Sequence, residues 1–285
     1  MIGDLIMKKG ISIWSFGDMP LSEAFVLAKS AGFEGVELAL NLTGEASLES
    51  SEKDFLEIKK KADDAGISLY SVACGLYWDY SITSDDAKIR AKAEDIVKRE
   101  IDMASALGCE SCLVIPGTVC ADFVNPNLIV DYQTAYDRSL EAFTRLKGYA
   151  ESAKVEIALE NVWNKFLTSP IEMKEFIEKI GSDYVGSYFD VGNVMYNGYP
   201  EHWIRILGNK IKKVHFKDYR KVAGGLHGFV DLLAGDVNYP AVMDAFKEIG
   251  YDGWVSAEMI PNYSTYNDAL IYNTSLAMDK ILGRK

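Results

Sequence analysis

VEIALEN (155–161), VGSYFDVGN (185–193), KKVHFKD (212–218) and GWVSAEM (253–259) are four short apolar runs, each carrying at or near its end a side chain able to bind a cation. Those side chains, Glu160, Asp190, His215 and Glu258, stand 30, 25 and 43 residues apart. Each step is about one strand plus one helix, the last lengthened by the segment from Asp218 to Asp236. Such runs suit parallel strands covered on both faces better than half-exposed antiparallel ones.

Outward from this stretch the same unit repeats toward the N-terminus. Further strands are expected at Ile11 to Trp14, Gly35 to Ala39, Ser68 to Ala73 and Ser111 to Pro116. With those at Val155 to Glu160, Tyr184 to Asp190, Ile211 to Lys217 and Trp254 to Glu258 they number eight. Between them lie stretches of helical period, clearest from Asp86 to Leu107, where Ile89, Ala93, Val97, Ile101 and Ala104 recur at three- or four-residue steps. Gly108 follows where a left-handed residue would end the helix. The joints AGF (31–33), AGI (65–67), LGC (107–109) and IGY (249–251) repeat that helix-stop, strand-start pattern.

No Pro/Gly/Ser-rich linker or charge run interrupts the alternation, so residues 1–285 are expected to form one α/β domain, a (β/α)₈ TIM barrel. An open doubly wound sheet would usually show a phosphate-binding glycine fingerprint after its first strand, and neither GxGxxG nor GxxxxGK[ST] occurs. The 48% of hydrophobic residues suffices for a large core. The formal net charge of −12 argues against a nucleic-acid partner, which would need clustered Lys and Arg. No apolar run is long enough for a membrane span and the opening MIGDLIMKKG lacks signal-peptide order, so the expectation is a cytoplasmic protein without a membrane partner. Cys74, Cys109, Cys112 and Cys120 are expected to be reduced, with the solitary CxxC at 109–112 reading as buried thiols at a strand start.

In a (β/α)₈ barrel, chemistry sits at the C-terminal ends of the strands. Closure would bring Glu160, Asp190, His215 and Glu258 to one rim. Three carboxylates gathered there repel one another unless a cation neutralises them. Oxygen ligands with one imidazole suit one divalent ion, Mn²⁺, Mg²⁺ or Co²⁺, and accept Zn²⁺.

At this point the residues resemble a known group, the sugar phosphate isomerase/epimerase family of xylose isomerase-like barrels, which includes ketose 3-epimerases, hydroxypyruvate isomerase and inosose dehydratase. The likeness spans nearly the whole chain and is most specific at ALENVWNKFLTSP, YFDVGN, VHFKD and LLAGDVNYPAVMDAFKEIGYDGWVSAEM. It implies metal ligands at Glu160, Asp190, His215 and Glu258, with Glu160 and Glu258 also serving as acid and base. Where the group often has a substrate-touching histidine, this chain has Asn193. DVGN followed by VHFKD is more similar to the L-xylulose/L-ribulose 5-phosphate 3-epimerase branch than to free-ketose epimerases. The more distant endonuclease IV is excluded, because its three-zinc site needs more than the three histidines present.

The function these features imply is epimerisation or isomerisation of a sugar or sugar phosphate, most simply a ketose 3-epimerisation. Metal chelation of a carbonyl and adjacent hydroxyl would stabilise the enediolate left by proton abstraction. A lyase such as inosose dehydratase would start from the same enediolate, and a non-catalytic sugar-binding barrel is the third alternative. Trp14, Asn193, Lys217 and His227 are the candidate substrate contacts. Arg220 is a further cation near the loop where barrels often bind phosphate, and Glu37, Tyr77, Trp78 and Trp163 are further rim candidates. A homo-oligomer is left open.

Overall fold

In the computed structural model, which describes residues 6–284, eight strands close into a parallel barrel. Residues 1–5 and 285, and with them the reading of the opening MIGDL, lie outside the described residues. The barrel strands are β1 (Lys8–Ser12), β2 (Gly35–Leu40), β3 (Ser68–Cys74), β4 (Ser111–Val114), β5 (Glu156–Glu160), β6 (Val185–Asp190), β7 (Ile211–Phe216) and β10 (Trp254–Ala257), closed by pairing of β1 with β10. The intervening β8 (Asp218–Tyr219) and β9 (Phe229–Val230) form an antiparallel hairpin within the segment from Asp218 to Asp236.

The helices are α1 (Leu21–Ser30), α2 (Glu52–Ala65), α3 (Ala87–Leu107), α4 (Tyr132–Ala153), α5 (Pro170–Ile180), the short α6 (Val191–Val194), α7 (Pro200–Leu207), α8 (Tyr239–Ile249) and α9 (Asn267–Ile281). The expected α3 is present: Asp86 caps its first turn through Lys88 N–H, and Ala93, Val97, Ile101 and Ala104 are buried. The four glycine joints hold, with φ of 90° at Gly32, 69° at Gly66, 75° at Gly108 and 70° at Gly250.

The strand limits differ from expectation most clearly in β1, β4, β7 and β10. The first strand is Lys8–Ser12, and Ile13–Phe16 form a 3₁₀ turn, so Trp14 stands on the rim beyond the strand. The charged pair Lys8-Lys9 concealed that start, yet Lys9 is 2% exposed, its ammonium paired with Asp279 at 2.6 Å and Ser275 at 2.9 Å. The fourth strand ends at Val114, short of Pro116, whose ring removes a ladder donor. β7 and β10 each end one residue earlier than expected, leaving Lys217 and Glu258 just past the pleat.

Inside the barrel the side chains are not uniformly apolar. Tyr70 stacks on Trp254 with ring centroids 4.0 Å apart, and a Cβ on Gly10 would fall 2.1 Å from the Tyr70 hydroxyl oxygen, so the neighbouring strand leaves that space free. The ladder slips between Val36 and Leu38 in the β2–β3 pair and between Ser187 and Tyr188 in the β6–β7 pair. Such irregularities re-aim side chains beside active sites. Here the extra residues lie in β3, between Leu69 and Val72, and in β7, between Ile211 and Lys213; Glu37 and Tyr188, on the strands opposite, hydrogen-bond to each other beneath the rim.

Candidate active site and metal centre

The four strand ends converge as closure requires. One ligand atom from each of Glu160, Asp190, His215 and Glu258 lies within 4.8 Å of the other three, and all four residues are buried. Ladder pairing explains the convergence: Asp190 is the register partner of His215, Glu160 of Tyr188, and Ser256, two residues before Glu258, of His215.

His215 Nδ1 faces Glu160 Oε1 at 3.2 Å, Glu258 Oε2 at 3.3 Å and Asp190 Oδ2 at 3.8 Å. One ring nitrogen cannot satisfy three carboxylates by hydrogen bonding. Asp190 Oδ2 and Glu258 Oε2 are buried without a well-directed hydrogen-bond partner, although the Lys217 ammonium lies 3.3 Å from the former and in contact with the latter. A divalent ion fits this donor set. Ligand distances of about 2.0–2.6 Å put opposed ligands roughly 4–5 Å apart, matching the cluster, and the oxygen-rich donors with one imidazole suit the ions named above.

The opposite ring nitrogen, Nε2, lies 2.9 Å from Glu37 Oε1, and the other Glu37 oxygen accepts from Tyr188 Oη. Tyr188 and Tyr70 both reach Ser256 Oγ, at 3.2 and 2.5 Å, giving a buried polar chain down the barrel axis. Glu37 accepts the Nε2 proton and so leaves Nδ1 facing the carboxylates, where on losing its own proton it could bind an ion, the usual carboxylate–histidine–metal arrangement. Asn161 secures the backbone of Asp190: its Oδ1 accepts from Asp190 N–H at 2.9 Å and its Nδ2 donates to the Asp190 carbonyl at 2.9 Å. Asp190 Oδ1 accepts from Asn193 N–H at 2.7 Å.

Burial disfavours the imidazolium, but Glu37 and then Glu258 outweigh it and raise His215 well above the ordinary imidazole value. Burial pushes Glu160 up to about 7, only partly countered by His215. Burial also pushes on Glu258, yet Lys217 and His215 prevail and hold it below the usual carboxylate range. Asp190 is raised by burial against the pull of Lys217. In metal-free protein near pH 7, then, His215 carries its extra proton and Glu160 is partly protonated. Ion binding there should release roughly one to two protons, and affinity should fall as pH drops and protons compete. Calorimetric Mn²⁺ titrations in buffers of different ionisation enthalpy read the proton count directly; proton-neutral binding would contradict this electrostatic picture.

Above the cluster opens a cavity of about 800 Å³ lined by Trp14, Trp78, Trp163, Asn193, Lys217 and His227, with the carboxylates of Glu160 and Glu258 at its base. Asp190 and His215 lie beneath it, each 0% exposed. One N–H bond of Asn193 is already directed to the Asn161 carbonyl, at 3.0 Å. Three rim candidates are elsewhere. Tyr77 is buried, donating to Glu100; Arg220 turns back to the Ala234 carbonyl; Glu37 supports His215 from below. Phe123 and Phe229 are additional walls that the sequence did not single out, because the first sits on a loop and the second on the two-residue β9, too short to show periodicity. Asn161 was also missed, though its place directly after Glu160 is a usable signal. The four cysteines are free and buried, and burial raises the Cys109 and Cys112 thiols, as inert core thiols require. Among the described residues no helix is long and apolar enough to cross a membrane.

A family model described as xylose isomerase-like TIM barrel matches residues 25–278. A Haemophilus influenzae protein provisionally named L-ribulose-5-phosphate 3-epimerase is 24% identical over 243 residues, covering 83% of this chain and 82% of its own. An L-ribulose-5-phosphate 3-epimerase of Escherichia coli (strain ATCC 8739) is 22% identical over 240 residues, covering 83% and 81%. Among solved structures, L-ribulose 3-epimerase superposes with a TM-score of 0.80 at 21% identity over 98% of this chain and 95% of its own. For D-psicose 3-epimerase the TM-score is 0.79 at 19% identity, over 97% and 100%.

Proposed function

The chain belongs to the xylose isomerase-like TIM barrel family, and on that premise we propose that it is a divalent-metal-dependent epimerase of a ketose or ketose phosphate. In this reading Glu160, Asp190, His215 and Glu258 hold the ion, and Glu160 and Glu258 move the proton. One observation carries it: of the four clustered side chains, only the two glutamates line the cavity. They come from β5 and from the end of β10, with β6 and β7 between them around the barrel. Two carboxylates reaching one cavity from separated strands are what inversion at a single carbon requires. The names of the relatives support the same class of reaction.

A divalent ion held there supplies Lewis-acid polarisation of the carbonyl and the adjacent hydroxyl. The protein's own part is proton transfer at the carbon next to the carbonyl. Of Glu160 and Glu258, one takes the proton from one face of that carbon and the other returns a proton to the opposite face. In the reverse direction the roles exchange. Trp14, Trp78 and Trp163 exclude water, and Asn193, Lys217 and His227 contact hydroxyls.

The test is to incubate Mn²⁺-loaded protein with ketoses and ketose phosphates in D₂O and follow the carbon skeleton by NMR. Deuterium at C3 in both epimers is expected. Hydrogen passing between C1 and C2 would make the protein an aldose–ketose isomerase, and loss of water would make it a lyase. Absence of exchange across both substrate classes would overturn the proposal.

A further inference from the structure

A second cavity of about 470 Å³ abuts the first, and Phe123, Val162, Trp163, Asn193 and Leu226 line both. Its remaining wall includes Tyr196, Trp203 and the loop residues Lys165, Leu167 and Thr168. Binding pockets for small molecules run from about 300 to 1,000 Å³, so each cavity is ligand-sized alone. A lone five- or six-carbon sugar at the carboxylates would leave the second cavity unused.

That cavity is held open by a constrained loop. Lys165 and Leu167 have φ of 56° and 49°, a region that side-chain-bearing residues adopt only when the surroundings impose it. Asn164, 0% exposed, supplies the constraint. Its Nδ2 donates to the Gly117 carbonyl at 2.6 Å, its Oδ1 accepts from Phe166 N–H at 3.0 Å, and its carbonyl accepts from Val119 and Cys120 N–H. Trp163 stands at the junction, its indole N–H donating to the Asn193 carbonyl at 2.9 Å and its ring centroid 5.1 Å from that of Tyr196.

The chemistry of the two linings disfavours an anion. Among the described residues no arginine lines either cavity. Lys165 is paired with Asp122 at 2.8 Å, and Lys217 lies among the carboxylates at the reacting end. The backbone N–H groups after β7, where barrels often bind phosphate, are already taken. Tyr219, Leu233 and Val237 donate to the Asp218 carboxylate at 2.8, 2.9 and 3.1 Å. A Cβ on Gly235 would fall 2.2 Å from Asp218 Oδ1, so the loop is wrapped around its own carboxylate. At the start of α5, Ser169 Oγ accepts from Glu172 N–H and the Glu172 carboxylate accepts from Thr168 N–H. Among the described residues His227 is the one further group on the first lining able to carry positive charge, while the second lining has aromatic faces and a cation, Lys165, that is already paired, which suits an uncharged ring that stacks its C–H face.

We propose that the substrate is an unphosphorylated ketose bearing a second sugar ring, which lies in the cavity between Trp163, Tyr196 and the 165–168 loop. This rests on the epimerase reading, which places the carbonyl end at Glu160 and Glu258. The ring must therefore be linked through the far end of the ketose, the end left to reach the second cavity.

Three probes share one reacting end and differ only at O6: D-fructose, D-fructose 6-phosphate, and D-fructose carrying α-D-glucose on O6. Each is titrated against Mn²⁺-loaded protein by tryptophan fluorescence and calorimetry, and each is assayed for C3 deuterium exchange. The glucosyl compound should bind roughly tenfold or more tightly than fructose, as expected for an added ring on aromatic faces, and the phosphate should confer no gain. Tyr196→Ala and Thr168→Trp, the first removing a wall and the second filling the space, should each collapse the glucosyl-to-fructose ratio toward one. Equal binding of the glucosyl compound and fructose, preference for the phosphate, or a ratio untouched by both variants would overturn the proposal. Preferential glucosyl binding without C3 exchange in any probe would keep the subsite and overturn the epimerase reading instead.

Discussion

Glu160→Gln and Glu258→Gln should each lower epimerisation by about 10²–10⁴-fold, the range for removal of a positioned acid or base. The expectation follows from both carboxylates reaching the cavity while Asp190 and His215 stay beneath it. The two variants should fail differently. With one glutamate intact, the epimer whose C3–H faces it can still exchange deuterium, whereas the other epimer cannot, so each variant should label one epimer and convert neither. Because both residues also belong to the cluster proposed to hold the ion, metal content must be measured beside activity. Variants that keep their metal and turn over at the wild-type rate would show the acid/base assignment to be wrong, whatever the ion does.

The second large effect concerns a residue that would touch neither ion nor substrate. Glu37→Leu removes the acceptor for His215 Nε2 and for Tyr188 Oη together. The imidazole then loses the partner that fixes its tautomer, and metal affinity should fall about 10–100-fold, as for other outer-shell carboxylates. Glu37→Gln retains an oxygen for the Nε2 proton but removes the charge, so its loss should be smaller; comparing the two separates orientation from electrostatics. Mn²⁺ affinities measured by calorimetry decide the matter. Equal affinities for wild type and Glu37→Leu would mean that packing against Tyr188, whose ring centroid is 4.5 Å from that of His215, positions the imidazole unaided.

The sequence displayed the ligand cluster because barrel geometry converts a linear regularity into a point in space. Glu160, Asp190 and His215 lie within or at the end of apolar strands, and Glu258 follows one directly, so knowing the fold was enough to bring them together. Tyr77 shows where that logic fails. It follows a strand just as Trp78 does, but the 3₁₀ turn Gly75–Trp78 directs Tyr77 inward to Glu100 and leaves Trp78 on the cavity wall. Neighbouring positions in a tight turn point in different directions, and sequence periodicity does not reach into such turns. Arg220 fails for a similar reason, since the β8–β9 hairpin turns it back onto the loop.

Two kinds of information thus separate. The order of eight parallel strands, the helices closed by glycines and the four convergent ligand positions were determined by the sequence itself, because hydrophobic period and helix-stop residues act over a few neighbours along the chain. Only the tertiary structure decided that Glu37 orients His215 across the barrel, that Asp218 fills the loop where an anion would bind, and that a second aromatic cavity adjoins the first. Glu37 and His215 are 178 residues apart, and their meeting depends on how the strands align around the closed barrel. Local patterns carry which residues form strands; long-range register and loop packing determine which of those residues touch.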